Sequence, residues 1–145
     1  MKFVISEGLT ADAREIRQRV FVEEQGFQNE FDETDKSAAH IVLLDEKDRP
    51  VATCRVFRDA AMDSYILGRL AVVKEYRGQN IGSALIGEAE KYVQEKGGSS
   101  ICLHAQCRAA AFYEKSGFTP FGEIEDDEGI PHIWMRKSLF FSHKK

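Results

Sequence analysis

The residues best suited to chemistry lie in one run, Leu70-Ala71-Val72-Val73-Lys74-Glu75-Tyr76-Arg77-Gly78-Gln79-Asn80-Ile81-Gly82-Ser83-Ala84-Leu85. It reads as a strand, a polar turn and a helix. A helix N-terminus carries N–H groups without partners inside the helix and a partial positive charge of about half a unit, which suits an anion. Gly78 and Gly82 let the backbone approach a bulky phosphate that a side chain would block. Arg77 offers a fixed charge and Ser83 a hydroxyl. The turn is not a nucleotide P-loop, because no Gly-Lys-Ser/Thr follows it. It does not fit the dinucleotide fingerprint either, since its glycines stand four apart with no third at the required place. Taken alone, the turn is equally read as a strand–helix connection that uses glycine for geometry.

A second run, His104-Ala105-Gln106-Cys107-Arg108-Ala109-Ala110-Ala111-Phe112-Tyr113-Glu114-Lys115-Ser116-Gly117-Phe118, places three alanines on a thin helix face that a slender ligand can approach. Phe112 is expected to bury and Tyr113 to present its hydroxyl at the edge. Alanine also favours helix anywhere and aromatic pairs pack cores, so this run alone does not decide the matter. Cys54, Cys102 and Cys107 form no metal set with the histidines, and nothing nearby would lower a thiol pKa. They are expected as core or rim residues, and no metal is expected.

These residues need a scaffold, and the pattern supplies one. Phe3-Val4-Ile5 is a short strand. Thr10 caps a helix whose Ala13, Ile16 and Val20 recur at helical spacing. Between Glu23 and Asp35 the pattern breaks, with six acidic residues and no Lys or Arg. His40–Leu44 and Val51–Phe57 form a hairpin across a turn at 45–49, and Tyr65–Val73 joins them. A helix runs from about Ile81 to Lys96, with Ile81, Leu85, Ala89, Tyr92 and Val93 as its apolar stripe, and Gly97-Gly98 stops it. Ile101–Ala105 is a strand, Ala109–Lys115 a helix ended by Gly117, and two more strands lie around 118–124 and 132–138. The order β-α-β-β-β-α-β-α-β-β implies an α/β (α+β) fold, one mixed, mostly antiparallel sheet flanked by helices.

Length and charge bound the rest. The chain has 145 residues, 43% hydrophobic and 30% charged, as expected of a single globular domain over 1–145. Its 20 basic and 24 acidic residues, net −4, disfavour a nucleic-acid binder. No apolar run reaches the ~20 residues that span a bilayer, so no membrane partner is expected. The first residues, Met1 to Glu7, do not read as a signal peptide, and three cysteines without framework spacing fit reduced thiols and a cytoplasmic location. Phe140 and Phe141 read as a self-contact or a fold-back onto the core, so a monomer or a homodimer is expected.

Together the two runs resemble a family. Arg77-Gly78-Gln79-Asn80-Ile81-Gly82, preceded by Leu70-Ala71-Val72, resembles the acyl-CoA pyrophosphate loop of GNAT superfamily N-acetyltransferases. Phe112-Tyr113-Glu114-Lys115-Ser116-Gly117-Phe118 looks like that superfamily's second CoA-contacting motif. Val20-Phe21-Val22-Glu23-Glu24-Gln25, Ala105-Gln106 and Gly129-Ile130-Pro131-His132 are similar to its ElaA/YjcF-like branch. Two positions depart from the family pattern. Asn80 stands where glycine is usual, and asparagine tolerates a left-handed backbone better than most residues, so the loop is expected to keep its shape. Gln106 stands where many relatives have asparagine.

The resemblance implies a GNAT-type acyl-CoA acyltransferase fold and transfer of the acetyl group of acetyl-CoA to a primary amine of a small molecule. It implies a bulged strand whose Leu70, Ala71 and Val72 pair with the pantetheine amides as another strand would. Arg77, Gly78, Gln79, Asn80, Ile81, Gly82 and Ser83 would cradle the pyrophosphate, and Gln106, Ala109, Phe112, Tyr113 and Lys115 would line the rest of the cofactor. By the same carry-over Tyr113 is the general acid toward the departing thiol. A tyrosine at pKa ~10 and a thiol at ~8.5 make that transfer uphill by only about 2 kcal/mol. His132 is the candidate base, with Glu24 and His104 as alternatives; histidine ordinarily titrates near 6.5, which suits proton removal at neutral pH. A non-catalytic acyl-CoA-binding or sensing module is the alternative function, and a nucleotide-phosphate binder a third.

The acceptor pocket has two candidate acidic walls, Glu23, Glu24, Glu30, Asp32, Glu33 and Asp35, and Glu123, Glu125, Asp126, Asp127 and Glu128. Either would concentrate a cationic amine, and both are equally read as solvated loops. Arg55 and Arg69, on adjacent strands, would instead suit a carboxylate acceptor.

Overall fold

Residues 1–139 are described by the structure, a computed structural model, so Phe140 and Phe141 lie outside the described residues. The elements are β1 (Lys2–Glu7), α1 (Ala11–Arg17), β2 (Ala39–Leu44), β3 (Pro50–Asp59), β4 (Ser64–Val72), α2 (Ile81–Glu95), β5 (Ser100–Gln106), α3 (Ala110–Lys115), β6 (Thr119–Asp127) and β7 (Ile130–Ser138). The strands form one mixed sheet of seven, hydrogen-bonded in the order β1-β2-β3-β4-β5-β7-β6 and flanked by helices. The β1–β2, β2–β3, β5–β7 and β6–β7 ladders are antiparallel, and β4–β5 is parallel. A parallel pair needs a long crossover, which α2 supplies. By backbone contacts the chain divides into two compact units, Met1–Phe57 with Leu67–Ala89, and Arg58–Ile66 with the chain from Glu90 onward.

In the first unit Thr10 caps α1, its hydroxyl accepting from the Ala13 N–H at 3.2 Å. α1 continues into a π-helical turn, Gln18–Glu24, and a 3-10 turn comes next at Glu33–Lys36. The buried stripe of Ala13 and Ile16 in α1 and Val20 in the π-helical turn includes Arg17, which is wholly buried. β2 is buried along its length and β3 along most of it, as expected of central strands covered on both faces. β4 ends in a 3-10 turn at Lys74–Tyr76 that leads to α2.

In the second unit β4 begins beside β5, with Tyr65 opposite Ile101 and Ile66 opposite Cys102. β5 pairs with β7 from Ser100–Ser138 to Gln106–His132. Val93, Ile101, Leu103, Phe118 and Met135 are buried. A Cβ on Gly98 would fall 2.5 Å from Val93 Cγ1 and 2.8 Å from Tyr65 Cδ1, so the turn before β5 packs flush on those side chains. β6 is an exposed outer strand whose pairing with β7 shifts register between Phe121 and Glu125. Among the described residues no helix is long and apolar enough to cross a membrane.

Candidate active site

The turn between β4 and α2 has the backbone its sequence called for. Gly78 takes φ +81° and Asn80 φ +61°, both left-handed, so asparagine serves where glycine would be the easier choice. The Asn80 carbonyl accepts from the Ala84 N–H and closes the first turn of α2, which contains no acidic residue to compete for an anion. Residues Arg77 to Asn80 are exposed, and a Cβ on Gly78 would meet nothing within 4 Å. An open, left-handed loop ahead of a 15-residue helix fits a diphosphate approached by backbone N–H groups.

The turn is pinned from below. Tyr76 donates its hydroxyl to Asp45 Oδ2 at 2.8 Å, and the Val73 N–H donates to the Val51 carbonyl. Asp45 also accepts from the N–H groups of Lys47 and Arg49 and from Arg49 Nε. The Arg49 N–H foremost, with the Tyr76 hydroxyl and the Lys47 N–H, holds the Asp45 carboxyl well below the usual carboxylate range. Neither Asp45 nor Tyr76 drew attention in the sequence.

Arg77 does not extend freely from this loop. Its Nη1 and Nη2 donate to the two carboxylate oxygens of Glu24 at 2.6 and 2.8 Å, and its Nε donates to the Val72 carbonyl at 2.9 Å. Glu24, a candidate base, is thus the bidentate partner of a loop arginine. Val72, expected to offer its backbone to the cofactor, shares its carbonyl with the same side chain.

The acidic stretch after Glu24 is split, with Asp32 and Glu33 exposed and the other two acids turned inward. Glu30 and Asp35 are buried, and three arginines hold them. Arg17 donates to Glu30 at 2.8 Å and to both oxygens of Asp35. Arg55 donates to both oxygens of Asp32 and to Asp35. Arg69 donates to the Glu30 carbonyl and pairs with its carboxylate at 3.0 Å. Burial alone would raise the Asp35 carboxyl, but the hydrogen bonds from Arg17, the Asp32 N–H and Arg55 hold it well below the usual range. Arg55 and Arg69 therefore face internal carboxylates, which corrects their expected availability to a carboxylate acceptor. The one warning in the sequence was Arg17 itself, a charge on the apolar stripe of α1.

In the second unit Gln106 ends β5 directly opposite His132 on β7. His132 is buried, and its Nδ1 lies 2.8 Å from the Ile130 carbonyl oxygen. With the proton on Nδ1 donated to that carbonyl, Nε2 carries a lone pair. The His104 ring stacks on Trp134 at 4.6 Å and lies 5.0 Å from the His132 ring. His104 Nε2 is 3.2 Å from Glu125 Oε1, although not aligned for a hydrogen bond. Burial first, then the neighbouring His132, pushes His104 below the ordinary histidine value. Glu125 also stands opposite His132 in the β6–β7 ladder.

Tyr113 is half-buried on α3, edge-on to Phe112 at 5.0 Å and to Phe118 at 6.1 Å. Phe112, expected inside, is exposed, because the six-residue α3 turns it outward. Ala109 lies in the 3-10 turn before α3, and Lys115 is exposed at its end. Cys54 and Cys102 are buried, Cys107 is half-buried, and burial pushes the Cys54 thiol up. Among the described residues no group of three His, Cys, Asp or Glu side chains is placed to hold a metal ion.

Known proteins share this chain's family domain and fold. The acetyltransferase (GNAT) domain model matches residues 9–139. YjcF of Bacillus subtilis, described as an uncharacterized N-acetyltransferase, is 36% identical over 143 residues, covering 94% of this chain and 99% of that protein. The crystal structure of Escherichia coli ElaA aligns with a TM-score of 0.82 at 25% identity, over 94% of this chain and 98% of that one. An aminoglycoside 6′-N-acetyltransferase solved in complex with coenzyme A shares the fold, with a TM-score of 0.73 at 19% identity over 97% of this chain and 99% of that one. With the family domain over nearly its whole length and relatives of this similarity, the chain belongs to the GNAT acetyltransferase family and is an acyl-CoA-dependent N-acyltransferase.

Proposed function

We propose that this chain transfers the acetyl group of acetyl-CoA to a primary amine of a small, cationic molecule by direct attack of the amine on the thioester. The observation that carries the reading is the β4–α2 loop, left-handed at Gly78 and Asn80 and followed by a helix with no acid in its first turn. Backbone N–H groups from Gly78 to Ser83 receive the pyrophosphate there. Ala71 and Val72 offer main-chain groups to the pantetheine, and Gln106, Ala109, Phe112 and Lys115 contact the remainder. Acetyl-CoA supplies the activated acyl group and departs as the free thiol.

Two proton transfers fall to this chain. His132 Nε2 accepts the proton that the amine loses as its nitrogen bonds to the acyl carbon. The hydrogen bond from His132 Nδ1 to Ile130 supports that tautomer. The Tyr113 hydroxyl gives a proton to the departing sulfur, a role typically worth ~10²–10⁴-fold in rate. Glu24 is the weaker candidate for the base, since both its oxygens accept from Arg77. The exposed acids Glu125, Asp126 and Asp127, opposite His132, Pro131 and Ile130, favour a cationic acceptor over an anionic one.

The test is a thiol-release screen with acetyl-CoA over polyamines, aminoglycosides, amino acids and peptide N-termini. Release with amines of positive charge and none with acidic amino acids is expected. Acetyl-CoA binding without release for any amine would leave a carrier-binding protein instead of a transferase.

A further inference from the structure

Three rings share one face of the sheet where β5, β7 and β6 run side by side. His104 stands opposite Trp134 in the β5–β7 ladder, and His132 lies two residues from Trp134 along β7, so all three side chains leave the sheet on the same side. The His104 ring packs against Trp134, 4.6 Å between centroids at 25°, and against His132, 5.0 Å at 32°. It touches both of the others. Glu125, opposite His132 on β6, brings Oε1 to 3.2 Å from His104 Nε2 and closes a further side. Yet Nε2 is buried and makes no aligned hydrogen bond, a cost that the packing of the ring must offset. Nothing that Nε2 bonds to accounts for a histidine here; what its ring touches does.

His132 needs such a neighbour. Its Nδ1 is tied to the Ile130 carbonyl at 2.8 Å, which holds one edge of the ring. Hydrogen bonds weaken steeply only at strongly bent angles, so this bond alone tolerates a tilt of the imidazole. A tilt swings Nε2, the atom that receives the proton of the amine. The contact with His104, itself backed by Trp134, limits that freedom. We propose that His104 is a positioning residue for the transfer reaction: packed against Trp134 and His132, it sets the plane of the His132 ring and so aims Nε2 at the amine. This inference rests on the assignment of His132 as the base.

A double-mutant cycle on kcat tests it, run with acetyl-CoA and whichever amine of the thiol-release screen the parent acetylates fastest. His104→Ala removes the ring and should lower kcat about tenfold, since small misplacements of a reacting group are costly. Its CoA affinity by calorimetry should stay within about twofold of the parent, and its pH–rate profile should keep the acidic limb. His104→Phe keeps a ring against both neighbours and should hold kcat within about threefold. In a His132→Ala background, His104→Ala should change kcat by less than about twofold, because the residue it acts through is gone. Unchanged kcat in His104→Ala, a tenfold loss repeated in the His132→Ala background, a matching loss of CoA affinity, or an equal loss in His104→Phe would each overturn the proposal. An acidic limb lost in His104→Ala and kept in His132→Ala would make His104 the base and overturn both assignments. Unchanged kcat and an intact limb in His132→Ala would overturn the base assignment, and this inference with it. A parent that acetylates none of the amines would overturn the transferase reading and everything built on it.

Discussion

Gln106 and His132 stand directly opposite one another across the β5–β7 ladder. One ends the strand that leads into the second family motif, and the other opens the strand after the Gly129 turn. The hydrogen bond between His132 Nδ1 and the Ile130 carbonyl fixes the imidazole beside a residue assigned to the cofactor. A base at this place must be unprotonated to act, so the rate should fall toward acid pH. His132→Ala should lower kcat by about 10²-fold and remove that acidic limb from the pH–rate profile. Glu24→Gln is the control. Its ion pair with Arg77 joins two side chains about 40% exposed, worth at most about 1 kcal/mol in stability, and the limb should persist. A limb lost in Glu24→Gln and kept in His132→Ala would exchange their roles.

Tyr113 presents a separable prediction, because an acid acts only on the leaving group. Tyr113→Phe keeps the ring between Phe112 and Phe118 and removes the hydroxyl. Turnover should fall by ~10²-fold or more, with CoA affinity nearly unchanged. Steady-state kinetics with a CoA titration checks both, and equal turnover would remove the acid role.

Asp35 links the buried arginines to pH. Its folded carboxyl titrates below its unfolded value, so its stabilisation is complete above an unfolded pKa of ~4 and is lost as pH falls through the folded value. Asp35→Asn takes one counter-charge from each of two buried arginines, leaving Arg17 with Glu30 alone and Arg55 with the half-exposed Asp32. It should cost about 3–5 kcal/mol at pH 7 and flatten the loss of stability below pH ~4. Denaturant unfolding at pH 7 and at pH 3 measures both. An unchanged slope of stability with pH in Asp35→Asn would contradict the account.

Local rules carried much of the fold. Thr10 before an apolar-periodic run marks the start of α1, and Gly97-Gly98 marks the end of α2, because caps and stops depend on neighbours within a turn. The left-handed Asn80 was legible for the same reason. The arginine cluster was not. Its partners stand 13 to 39 residues apart, and only the fold brings the acidic segment under Arg17, Arg55 and Arg69. An acidic stretch in a sequence looks the same whether it faces water or buried guanidinium groups. The link from Tyr76 to Asp45 spans 31 residues and was hidden likewise. The exposure of Phe112 escaped too, since a helix of six residues has too little periodicity to show which face turns inward.

A calorimetric titration of CoA into the parent protein at neutral pH tests the loop assignment most directly. Saturable binding of one CoA per chain, undisturbed by ATP, is the predicted result. Absence of any binding heat across the titration, or full displacement of CoA by ATP, would contradict it.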